Sequence, residues 1–141
     1  MNIKPMLCFA LILCVAGCTS VRTSTLNCTS LSREEQELIY SDLNRMLVNG
    51  GFRASSPSET PWGKAWDNDS FSSLWKGRAE FAVAASTNST GMNIDVLYYR
   101  GGIDAEKALV NSVLACVQSN APNAKVKIKT STEIGPSFMG E

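Results

Sequence analysis

Downstream of Ser32, apolar residues fall at helical spacing: Leu38 or Ile39, then Leu43, Met46 and Leu47. Steps of three and four residues put such side chains on one face of a helix. Ser32-Arg33-Glu34-Glu35 stands before them and reads as a capping box, with an acidic first turn that suits the helix dipole. Gly50-Gly51 follows, the residue type that ends a helix in the left-handed region. The pattern predicts a helix over 33–49. Further on the period changes to two. Phe81 and Val83 alternate with smaller residues, and Met92, Ile94, Val96 and Tyr98 alternate with Asn93, Asp95 and Leu97. Asn88-Ser89-Thr90-Gly91 between them is turn chemistry, which predicts a hairpin over 80–86 and 92–100. Asp104 can cap a second helix with Leu109, Val113, Cys116 and Val117 on one face, closed by Pro122. Val126, Ile128 and Thr130 then alternate with Lys125, Lys127 and Lys129, a strand with one lysine-lined face. With a short strand at 23–28, the order is βαββαβ, the split βαβ (ferredoxin-like) arrangement. The fold expected is α+β: two amphipathic helices on one face of a small antiparallel sheet, a single domain over 26–133 with a loose tail at 134–141.

Residues 53–79 break both periods. Two prolines, two glycines and many serines argue for an inserted loop, with a short turn of helix around Phe71 to Trp75. All three tryptophans, Trp62, Trp66 and Trp75, fall there. Large rigid rings with an indole donor suit recognition of a partner or stacking on a glycan; the competing reading folds them back over the sheet or helices as extra core. Asp67-Asn68-Asp69 hints at calcium, but the sixth and twelfth places of such a loop hold Ser72 and Arg78 rather than glycine and glutamate, so no metal site is expected.

The N-terminal segment has a different character. Lys4 gives a positive start, and the apolar run from Met6 to Ala16 is too short for a bilayer core that needs about twenty residues. Those features describe a secretion signal. Val15-Ala16-Gly17-Cys18 resembles the lipobox of bacterial lipoproteins. That resemblance implies removal of residues 1–17 and attachment of diacylglyceryl and palmitoyl chains at Cys18. Thr19 stands where an aspartate would imply retention in the inner membrane, so the resemblance implies the outer membrane, facing the periplasm. Residues 18–25, rich in serine and threonine, read as a lipidated N-terminus and tether.

Of five cysteines, Cys8 and Cys14 leave with the signal and Cys18 takes lipid. Cys28 and Cys116 remain, and in an oxidising compartment a disulfide is expected, stabilising by roughly 4–5 kcal/mol in the chain-entropy picture. The alternative is two unpaired buried thiols. The chain has no histidine, which removes Ser-His and Cys-His catalysis and most zinc sites. Acidic and basic residues balance, so no global charge draws nucleic acid. The lysines at 125, 127 and 129 are read first as protection of a strand edge. The expected function is that of a membrane-anchored envelope accessory that binds a protein partner, without cofactor or catalysis. The alternative is a cell-wall or glycan-binding module using Trp62, Trp66 and Trp75.

Overall fold

The computed structural model describes residues 18–55, 73–77, 81–99 and 103–136. Along the chain these form β1 (Cys18–Thr29), α1 (Arg33–Asn49), β2 (Arg53–Ala54), β3 (Ser73–Lys76), β4 (Phe81–Thr87), β5 (Gly91–Tyr99), α2 (Ile103–Asn120) and β6 (Lys125–Pro136). The strands make one antiparallel sheet in the order β2-β3-β4-β5-β1-β6. Within it, β6-β1-β5-β4 is the split βαβ core: β1 and β4 run parallel with β5 between them. Two helices pack on one face, so the α+β architecture expected from the pattern is present.

The capping box forms as read. The Glu35 amide donates to Ser32 Oγ at 3.1 Å and the Ser32 amide donates to Glu35 Oε2 at 2.7 Å. Ile39, Leu43 and Leu47 are the buried stripe of α1. Gly51, at φ 87°, takes the left-handed turn that ends it. In α2 the buried stripe is Val110, Val113 and Val117. These side chains meet Leu26, Cys28, Val83, Ala85, Met92, Ile94 and Val96 from the sheet. Gly91 sits where β5 passes β1; a Cβ there would lie 2.3 Å from the Cys28 carbonyl oxygen, so only glycine permits this approach.

Three expectations change. Residues 18–25 are not a tether: β1 begins at Cys18 and pairs with β6 along its whole length and with β5 from Val21. The Ser/Thr content hides this, because Ser24 is a buried polar position on the helix side whose hydrogen bonds are given below. Residues 134–136 are not tail, since β6 continues to Pro136 opposite Cys18. Residues 73–76 form a strand rather than a turn of helix, and with β2 they widen the sheet beyond β4. Burial of Trp75 beneath α1 offsets the weak local signal of so short a strand.

The sheet face away from the helices divides along its length. Towards the Cys18 end Val21, Ala82, Ala84 and Leu97 are buried. Towards the Thr29 end the face is polar: Thr25 Oγ1 donates to Asp95 Oδ1 at 2.5 Å and Asn27 Nδ2 donates to Asn93 Oδ1 at 2.6 Å. No helix among the described residues is long and apolar enough to cross a membrane.

Candidate functional site

The two ends of β1 organise everything else. A twelve-residue strand is roughly 37 Å from first to last Cα at ~3.4 Å per residue. Cys18 is at one tip. Val21 pairs with Tyr99, so α2 starts near this tip. At the other tip Thr29 pairs with Gly91 and Lys125, which gathers the β4–β5 turn, the start of α1 and the start of β6.

At the Thr29 end lies a groove of about 620 Å³, lined by Arg33, Gln36, Glu37, Tyr40, Ser73, Thr87, Asn88 and Ser89. It lies between the first two turns of α1, the β4–β5 turn and Ser73, which pairs with Ala85. The walls are held in place by specific bonds. Tyr40 Oη and Ser73 Oγ are 2.6 Å apart. Asn88 Oδ1 accepts from the Thr90 amide at 3.0 Å, fixing the turn. Arg33 Nε donates to Glu37 Oε1 at 3.2 Å. The lining mixes one cation, one anion, a phenol and several amide or hydroxyl groups, which can hydrogen-bond a polypeptide or a polar ligand from both sides.

Behind the groove, Trp75 is 2 % exposed. Its Nε1–H donates to Asn44 Oδ1 at 2.9 Å and its ring meets Tyr40 at 5.6 Å, tilted by 46°. It belongs to the core and is withdrawn from the expected recognition set. Trp62 and Trp66, like Asp67, Asn68 and Asp69, lie outside the described residues. Among the described residues no group of three His, Cys, Asp or Glu could hold a metal.

Nearer the Cys18 end, Glu106 is 2 % exposed although charged. Its Oε1 accepts from Ser24 Oγ at 2.6 Å, and Ser24 Oγ lies 3.0 Å from Thr130 Oγ1. Its Oε2 stands 2.8 Å from Arg22 Nε, in ionic contact but misaligned for a hydrogen bond. This cluster links α2, β1 and β6. Glu106 is the buried partner and Arg22 the partly exposed one, so the pair contributes little net stability, while removal of Arg22 would leave a buried carboxylate without its counter-ion. Nothing in the pattern marks Glu106, because a glutamate in a first helical turn reads as solvated and favourable to the dipole.

Cys28 and Cys116 are free thiols rather than the expected bridge. The topology does bring both cysteines towards the Thr29 end, as the strand order implies. Their sulfurs face different neighbours: Cys28 Sγ is 4.0 Å from the Leu26 carbonyl of its own strand, and Cys116 Sγ is 3.9 Å from the Ile39 carbonyl of α1. Burial pushes the Cys28 thiol up to about 11. Burial also raises Cys116, with Asp42 adding to the rise and Arg45 opposing it. Both favour the unreactive protonated form. Asp95 is likewise raised by burial, against the lowering effect of the Thr25 hydrogen bond.

No known family model matches this chain, and no curated protein does. Among solved structures it is similar to "De novo designed protein Foldit4", at 12% identity over 81% of this chain and 98% of that one, with a TM-score of 0.41.

Proposed function

We propose that this chain is a lipid-anchored envelope lipoprotein, held through Cys18 at the periplasmic face of the outer membrane, whose domain binds a protein partner and carries out no catalysis. The lipobox-like Val15-Ala16-Gly17-Cys18 supports the anchor. The observation that carries the reading is that Cys18 is the first residue of β1. Acyl chains there would attach directly to the rim of a folded sheet, with no slack between them. Each buried methylene contributes ~0.8 kcal/mol, and two or more chains hold stably where one does not. The domain would then stand on the bilayer with the groove of Arg33, Tyr40 and Asn88 at its far end, turned to the periplasm. An accessory that recruits or positions another envelope protein needs this polarity.

A photo-crosslinking residue at Asn88, in the groove, and another at Ile103, at the Cys18 end, test the reading in living cells. Both positions are exposed. One defined protein adduct from Asn88 and none from Ile103 is expected. Equal labelling from both ends, or no protein adduct from Asn88, contradicts the reading.

A further inference from the structure

Strand β6 is the sheet's last strand, paired with β1 along its whole length. Among the described residues no strand pairs with its outer edge. A strand edge of this length without a neighbour is a template for another strand, unless its side chains select against it. Its side chains have a definite pattern. Lys125, Lys127 and Lys129 are exposed and share the face away from the helices. Across the ladder they meet Thr29, Asn27 and Thr25 of β1, all neutral. Among the described residues the nearest carboxylate on that face, Asp95, is hydrogen-bonded to Thr25. None of the three ammonium groups makes an ion pair among the described residues. On the other face Ile128 is 47% exposed, between half-buried Val126 and exposed Thr130.

We propose that the outer edge of β6 accepts an antiparallel strand from a partner protein, one that alternates acidic residues with apolar or β-branched ones. The acidic positions would face Lys125, Lys127 and Lys129, and the apolar ones Ile128 and Thr130. Main-chain hydrogen bonds give such an addition its affinity, and alternate side chains give it specificity. Opposite charges across a ladder attract and like charges repel, so the lysines that bar neutral or basic strands admit an acidic one. A second copy paired about Lys127 would set Lys125 against Lys129, like against like. An anionic membrane is disfavoured by position: the lysines lie at the Thr29 end of β1, away from Cys18. The proposal rests on the partner-binding reading above and names the chemistry of the partner.

The test uses the full lipidated protein in detergent micelles. The probe is a synthetic peptide alternating glutamate with valine and threonine; the control replaces each glutamate by lysine. Binding is followed by fluorescence anisotropy, and amide hydrogen exchange locates it. The glutamate peptide should bind and slow exchange over 125–132, and the lysine peptide should do neither. Lys127→Glu with Lys129→Glu should weaken binding on the order of tenfold, and the paired Lys→Gln changes by less. Lys107→Gln, which removes an exposed cation on α2 away from both the groove and β6, should leave it unchanged. Exchange over 125–132 that is unaffected by the peptide overturns the proposal. So does affinity untouched by the Lys→Glu pair, or a dimer that already protects β6. A chain without lipid whose β6 still takes the peptide defeats the anchor and leaves the edge proposal standing; lipidated protein with no protection of β6 does the reverse.

Discussion

Replacing Trp75 by alanine would remove the side chain that joins β3 to α1. An aromatic of this kind buries about 150–250 Å², which at ~25 cal/mol/Å² amounts to roughly 4–6 kcal/mol as an upper figure. Truncation of a core tryptophan costs ~3–5 kcal/mol once the surroundings relax. The indole also donates to Asn44 Oδ1 at 2.9 Å, a bond worth about 1 kcal/mol. Because Asn44 is exposed, water can replace that donor, so the hydrophobic loss dominates. Trp75→Ala is therefore expected to cost ~3–5 kcal/mol, and Trp75→Phe, which keeps a ring under Tyr40, ~1–2 kcal/mol. Urea unfolding followed by far-ultraviolet circular dichroism measures both, with the slope against denaturant checking that the unfolded state is unchanged. A loss below ~1 kcal/mol for Trp75→Ala, with that slope unchanged, would refute the placement of Trp75 in the core and return it to the recognition surface.

Gly91→Ala places a Cβ 2.3 Å from the Cys28 carbonyl oxygen and should cost ~2 kcal/mol or more as β5 is forced from β1. Gly50→Ala, whose nearest atoms are at 3.4 Å, should stay within ~0.5 kcal/mol in the same melts. Burial raises the folded pKa of Asp95 above its ordinary 3.8, so the folded state holds this proton more tightly than the unfolded one. Its ionisation therefore lowers stability as pH rises through that window. Asp95→Asn should accordingly be more stable than the parent at pH 7, with the advantage vanishing in melts below about pH 4; an advantage that persists in acid contradicts the assignment. Unfolded without reductant, the lipidated protein should show two thiols by mass after alkylation. In the native protein half-buried Cys116 should react before Cys28, whose thiol is held at about 11. No alkylation in the unfolded chain means that a bridge exists.

Elements with a clean period and explicit punctuation are legible from the residues alone. Helix α1 declared itself through Ser32, Glu35 and the Leu43–Leu47 stripe, and the β4–β5 hairpin through Asn88-Ser89-Thr90-Gly91. The start of β1 was not legible. Ser24 turns inward to meet Glu106, so a buried polar pair took the place of the apolar alternation that reveals a strand. Strand β3 was hidden for a related reason. Four residues carry almost no local signal, and what fixes them is the burial of their own ring, Trp75, against α1, which is distant in sequence. The groove left no mark either, since it forms where residues of α1, β3 and the β4–β5 turn, far apart in sequence, come together. The lysine strip was visible as a pattern, but its position on an outer edge, at the tip of β1 away from Cys18, depends on strand order.

Whether Cys18 carries lipid decides whether this domain is anchored. Mass spectrometry of the N-terminal peptide, purified from membranes of cells expressing the full chain, measures this directly. The expected product is a chain beginning at Cys18, heavier by a diacylglyceryl group and an amide-linked acyl chain, and lost from membranes in Cys18→Ser. A chain that begins elsewhere, or at an unmodified Cys18, would contradict the anchor.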